Sequence, residues 1–302
     1  MQLPEPELTL RNYDGIPAWS DVRLFEDMGV RIAFTGRMGG HSAEPFDTLN
    51  LGNHVGDDLE VVARNRESAL SALGGAGIPC VVPKQIHGTH VEVVRDAADF
   101  ARASADAAEG ADAVVVCAPG VAAQLSFADC LPLIVVSPTG RFAVIHAGWR
   151  GALAGIAGIG ARALAAADAA AQNEEDGEGV LEGASSQARG AEADDCVSAA
   201  DTVALLDGYN AYIGPYIHAE CFETGADVAE KFIDRWGTDI LDEHGHVSLG
   251  DVVKKDLASS GLSAERIADV DACTKCFGGY FSYRASGGEC GRQGAIAFSV
   301  ER

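Results

Sequence analysis

The chain of 302 residues is acidic: 45 Asp and Glu outweigh 22 Lys and Arg, a formal net charge of −23, with 47% hydrophobic and 22% charged residues. Such a length and balance describe a folded globular chain of one large domain or two small ones. They exclude a nucleic-acid surface, which needs clustered Lys and Arg against phosphates, but not a single small anionic or nucleoside ligand held in one pocket.

The first residues, Met1 to Glu7, lack a basic segment followed by an apolar one, so no secretory leader is expected. No run of about 18 apolar residues could span a bilayer. Eight irregularly spaced cysteines are unlike a small secreted scaffold, and the expectation is a cytoplasmic protein with reduced thiols. Residues 1–28 read as an extension ahead of the main domain.

The apolar segment Val30–Thr35, ended by the glycines of Gly36-Arg37-Met38-Gly39-Gly40, predicts a strand and turn. Asp57 and Asp58 then cap a helix with Leu59, Val62, Leu70 and Leu73 on one face. Three apolar runs at 113–117, 131–136 and 142–145 read as strands buried on both faces. An Ala/Gly-rich helix follows over 149–167, where Gly151, Gly155 and Gly158 would admit another backbone. From about 168 to 201 the chain turns small, polar and acidic. Between Glu174 and Asp195 it carries eight acids against Arg189 alone, and this predicts a mobile surface insertion. A strand at 211–213, helices near 226–236 and 252–257, and a strand at 295–300 complete the chain. Strands in the centre and helices late favour an α+β fold.

Three positions put a metal ligand at the edge of a predicted strand: His87 in KQIHG (84–88), Cys130 in FADCLPL (127–133) and His146 in VIHAGWRG (144–151). Two imidazoles and a thiolate with one position open would suit catalytic zinc. Taken singly, each reads better as a core thiol or a singly bonded histidine. His218-Ala219-Glu220 with Cys273 and Cys276 has the outline of a zinc deaminase, but Ala272 stands where that signature has proline and the gap is long. Cys80 and Cys117 read as core, and Cys196 as an exposed thiol. Cys221, Cys273, Cys276 and Cys290 could hold a second, structural zinc, although only Cys273 and Cys276 have ligand spacing.

Those three motifs, with GADAVV (110–115), GPYIHAECFETG (214–225) and FSYRASGGECGRQGAIAF (281–298), occur in an order that resembles the YfiH family, from about residue 29 to 300. The family was first described as laccase-type multicopper polyphenol oxidases and later as purine nucleoside phosphorylases with adenosine deaminase activity. The resemblance implies a single-domain, four-layer α/β/β/α sandwich of two mixed sheets, with His87, Cys130 and His146 as zinc ligands. It implies phosphorolysis of adenosine, inosine, guanosine and 5′-methylthioadenosine to base and ribose 1-phosphate, with adenosine deamination at the same site. The sequence departs from the family pattern at Gly36, which separates Thr35 from Arg37, and at His41 and Cys290.

Phosphorolysis asks for a cation at the phosphate. Arg150, just after His146, is the first choice, because a guanidinium fork matches phosphate. Arg37 and Arg292 come next, Lys84 and Gln85 flank His87, and Asn50 is a ribose or base contact or else a turn residue. Asp129 would orient a ligand or shuttle a proton, or cap the chain before the strand. The expected partners are purine nucleosides and inorganic phosphate, with no nucleic acid and no membrane, for a monomer or homodimer. Copper is the alternative ion. The competing readings are a Cys–His thiol hydrolase acting on amides such as peptidoglycan precursors, a copper phenol oxidase, and a metal-binding protein whose acidic insertion docks a basic partner.

Overall fold

The computed structural model describes residues 2–175 and 206–301. Twelve strands form two six-stranded sheets among these residues. In the first, β1 (Thr9–Tyr13), β2 (Ile16–Ser20), β3 (Val30–Thr35), β12 (Gln293–Ser299), β7 (Ala122–Phe127) and β4 (Cys80–Val81) lie side by side in that order. The second runs β11 (Ile267–Asp269), β10 (Asn210–Ile213), β8 (Leu131–Val136), β9 (Phe142–Ala147), β6 (Ala113–Val116) and β5 (Val91–Val94). Both sheets are mixed: β4–β7, β5–β6 and β10–β11 are parallel and the other pairings antiparallel.

Two-residue periodicity sorts the strands between two apolar seams. Along β6, Val114 and Val116 face the other sheet and meet Phe34, Leu125 and Ala297 in one cluster. Ala113 and Val115 face the opposite way and join Ala157, Ala161 and Leu164 of α5 (Ile156–Glu175) and Val252, Val253 and Leu257 of α7 (Leu249–Ser259). A third seam sets Ala33, Ile296 and Phe298 on the outer face of the first sheet against Ala69 and Leu70 of α2 (Leu59–Ala72). Helix, sheet, sheet and helices therefore stack as four layers, the expected α+β sandwich in one domain. Each fully buried large apolar side chain contributes roughly 1.5–3 kcal/mol. A hydrogen bond contributes only about 0.5–1.5 kcal/mol net, so the three seams set the layering.

Several local expectations change. Residues 1–28 are integral to the sandwich: β1 and β2 extend the first sheet, and Leu24 of α1 (Val22–Met28) lies in the inter-sheet seam. In α2, Asp58 caps the Glu60 amide at 2.8 Å as expected, but Leu59 points to solvent. The helix expected over 149–167 is two helices, α4 (Trp149–Ala154) and α5, broken at Gly155 in a left-handed conformation (φ 83°). At Gly158 a Cβ would come 2.5 Å from Asp256 Oδ1, so the close neighbour there is an α7 side chain and not a backbone. Residues 168–175 belong to α5 instead of an insertion. Asp168 is buried, hydrogen-bonded to Tyr209 and Thr139 and paired with Arg141 at 2.8 Å. The rest of the expected acidic insertion, with Cys196, lies outside the described residues.

Candidate metal centre

Three segments distant in sequence deliver the ligand atoms. His87 occupies the loop between β4 and β5 at a left-handed φ of 60°. Cys130 follows the β7–β8 turn, in which Asp129 takes φ 86°. His146 is an interior residue of β9, opposite Pro132 of β8. Their donor atoms all lie within 4.8 Å of one another, with Cys130 Sγ 3.8 Å from His87 Nε2. The imidazoles meet edge to face with centroids 4.7 Å apart.

Asp112, at the start of β6, organises this group. Its Oδ1 accepts from His146 Nδ1 at 2.8 Å and from the His87 amide at 2.9 Å, while Oδ2 accepts from the Gly88 amide at 2.6 Å. The His146 amide in turn donates to the Asp112 carbonyl at 2.7 Å. With Nδ1 spent on a carboxylate, His146 presents Nε2 to the centre. This carboxylate–histidine arrangement is the usual support of a metal-binding imidazole. Asp112 was absent from the sequence expectations, and its signal was only an acid at the head of an apolar strand.

The charges suit a cation. Burial pushes the Cys130 thiol up, but His146 and His87 outweigh it and bring the thiol down to about 6. For His146, burial favours the neutral ring, and Cys130 and Asp112 overcome this to raise it to about 9. The metal-free centre is thus a thiolate–imidazolium pair at neutral pH. A borderline-soft dication such as Zn²⁺ matches two imidazoles and one thiolate, and three protein ligands leave a coordination position open. Space is tight beside the two imidazoles: a Cβ on Gly148 would come 2.5 Å from His87 Cδ2 and 3.2 Å from His146 Cε1.

The remaining expected residues divide. Gln85 does not face a ligand. Its amide grips the backbone of Ser126 at both ends, donating to the carbonyl and accepting from the N–H at 2.8 Å each, and so sews the His87 loop to β7. Asn50 is fully buried, and its turn reading holds. Oδ1 accepts from the Gly52 and Arg292 amides and Nδ2 donates to Gly52 O and Asp57, which leaves no group for ribose or base. Arg37 pairs with Asp47 at 2.9 Å, stacks over Phe281 and lines a cavity of about 430 Å³ that contains none of the three ligands. Asp129 spends both carboxylate oxygens on protein, accepting from Thr274 Oγ1 and the Arg284 amide at 2.7 Å each, so it braces the turn beside Cys130.

Arg150, in the first turn of α4, is exposed, stacks on Trp149 and makes no ion pair among the described residues. Lys84 is likewise exposed and forms none. Arg292 gives one nitrogen to the Cys290 and Gly291 carbonyls. His54, unanticipated in the sequence, lies within electrostatic reach of the centre. Partial burial, then the charges of Arg292, Arg66, His146 and His87, hold its pKa below the usual imidazole value.

The family model for multi-copper polyphenol oxidoreductase laccase matches residues 31–177 and 191–299. A purine nucleoside phosphorylase named YfiH from Shigella flexneri is 30% identical over 267 residues, covering 85% of this chain and 88% of its own. One from Deinococcus radiodurans is 29% identical over 280 residues, 89% of each chain. A purine nucleoside phosphorylase of Mycobacterium tuberculosis is 39% identical over 128 residues, 42% of this chain; against it and several other curated relatives the chain spans about half their length, 49% in that case. Among solved structures, YfiH of Bacillus licheniformis superposes with a TM-score of 0.72 at 24% identity, over 97% of this chain and 99% of that one. YlmD of Geobacillus stearothermophilus gives the same score and identity over 98% and 100%. No helix among the described residues is long and apolar enough to cross a membrane.

Proposed function

The chain belongs to the multi-copper polyphenol oxidoreductase laccase family that includes YfiH, and on that premise we propose that it is a zinc-dependent purine nucleoside phosphorylase that also deaminates adenosine. The observation that carries this reading is the convergence of His87, Cys130 and His146 around the Asp112 carboxylate. The names of the relatives supply the substrate class.

A zinc ion held by these three residues supplies Lewis acidity and acidifies water toward neutral pH. The chain's own residues do the rest. Asp112 keeps His146 in the tautomer with the proton on Nδ1, which leaves the Nε2 lone pair free for a metal, and fixes the His87 loop through its backbone amides. Gln85 and Asp129 hold the two loops that carry His87 and Cys130. Arg150 and Arg292, with the exposed Lys84, supply cations for phosphate. In phosphorolysis a phosphate oxygen bonds to C1′ of the ribose while the C1′–N9 bond breaks and its electron pair leaves with the base, so a cation fixing phosphate near C1′ stabilises the approach. In deamination water adds at C6 of adenine and ammonia departs. We assign the protein to the cytoplasm.

The decisive experiment incubates purified protein with adenosine, with and without phosphate, alongside a metal count. Adenine and ribose 1-phosphate formed only with phosphate, and inosine formed without it, support the reading. Base release independent of phosphate overturns the phosphorylase half. A second reading has its own observation in the depressed Cys130 thiol, which suits a thiol hydrolase of amides. Full activity in protein stripped of metal, abolished by Cys130→Ala, would favour it.

A further inference from the structure

A second group of soft ligands gathers away from the first. Cys221 closes a 3-10 turn (Ala219–Cys221), while Cys273 and Cys276 lie in the segment bridged in parallel to Tyr216. One donor atom from each of Glu220, Cys221, Cys273 and Cys276 lies within 4.8 Å of the others, and Cys221 Sγ stands 3.4 Å from Cys276 Sγ. All three cysteines are free thiols. We propose that Cys221, Cys273 and Cys276, with Glu220 as the fourth ligand, bind a structural zinc ion distinct from the one at His87, Cys130 and His146.

Geometry and chemistry both point there. Thiolates in a tetrahedron around zinc at about 2.3 Å stand about 3.8 Å apart, and a disulfide would need about 2.05 Å. The observed separation is close to the former and well outside the latter. The His218 amide donates to Cys273 Sγ at 3.4 Å, which fixes the position of that sulfur. Cys276 and Glu220 are exposed, which leaves a route for metal. Cys290, the fourth cysteine of this region, is turned elsewhere, packed with Ala128 and Phe281.

The position gives such an ion a task. The two segments it would join also brace the β7–β8 turn: the Ile217 amide donates to the Asp129 carbonyl at 2.9 Å, and Thr274 Oγ1 to the Asp129 carboxylate at 2.7 Å. Asp129 precedes Cys130. The ion would fasten the wall behind the first centre and take no part in the reaction.

Cobalt titration of the metal-free, reduced full-length protein tests this. Two equivalents should bind. Cys130→Ala should keep about three quarters of the thiolate-to-cobalt absorption, since three of four ligating sulfurs remain, and Cys221→Ser/Cys276→Ser about one quarter. Loss of all thiolate absorption in Cys130→Ala would overturn the proposal. A readout on wild-type protein guards against misfolded variants: zinc should slow alkylation of the exposed Cys276 by about tenfold, reversibly with chelator. An alkylation rate indifferent to zinc would overturn it. So would a Cys221–Cys276 disulfide in protein prepared without oxygen, seen as loss of two hydrogens in the intact mass.

Discussion

His146 donates from Nδ1 to a carboxylate, Asp112, that at the same time receives the backbone N–H of His87. One buried acid thus orients one imidazole through its ring and the other through its main chain. Asp112→Asn keeps the shape but loses an acceptor and the negative charge. It should lower zinc affinity by about 10–100-fold with the fold intact. Competition with a chromophoric chelator measures the affinity, and circular dichroism checks the fold.

Gly148 is the tightest point beside the two rings. In Gly148→Ala the new methyl would meet His87 Cδ2 at 2.5 Å, so the imidazole must move. We expect about 1–3 kcal/mol of destabilisation together with a disproportionate loss of bound metal. Thermal unfolding and metal analysis of the same sample check both parts.

Metal binding should release protons in a pH-dependent way. In the metal-free centre His146 is raised to about 9 and Cys130 lowered to about 6. Zinc needs the neutral imidazole and the thiolate. Near pH 7.5 binding should therefore expel about one proton from this pair, that of His146. Above pH 9 the ring is already neutral and release should fall toward zero; below pH 6 the thiol proton adds to it. Calorimetry in buffers of different ionisation enthalpy, on Cys221→Ser/Cys276→Ser protein to isolate this centre, reads the count directly.

Two arginines offered for the same task should separate. Arg150 is exposed and without an ion pair among the described residues, whereas Arg37 is tied to Asp47. Arg150→Ala should raise the KM for phosphate by about tenfold or more. Arg37→Ala should leave that KM unchanged and lower the Tm slightly, since a partly exposed ion pair contributes at most about 1 kcal/mol. Steady-state kinetics at fixed nucleoside decides between them.

What the sequence made legible was the apolar interior. Leu131–Val136 is buried along its whole length, so an unbroken apolar run marks it without ambiguity. β7, AAQLSF, is equally buried but small and polar in part, and periodicity missed it. β1 is largely exposed, so nothing in its composition separates it from a tail. Residues 168–171 looked like loop because they are small and polar, yet Asp168 is held by Tyr209, Thr139 and Arg141, partners that only the fold supplies. At the site, the residue types of the ligand trio suggested zinc, and family resemblance singled the three out. Gln85 and Asn50 were noticed because they are polar among apolar neighbours. Polarity signals that a partner exists, and it does not say whether the partner is a ligand or the chain's own backbone.

The sheets end on short strands: Thr9–Tyr13 and Cys80–Val81 border the first, and Ile267–Asp269 and Val91–Val94 the second. A second copy seeking to continue either sheet would find at most five residues of unpaired backbone, and on β1 it would meet the exposed Arg11. Strand addition is thereby disfavoured most at the β4 and β11 borders, which offer two and three residues of backbone. An assembly through these borders would rest on few backbone hydrogen bonds, so side chains on helices or loops would have to supply most of its contact, and point substitutions there would weaken it without disturbing the sandwich.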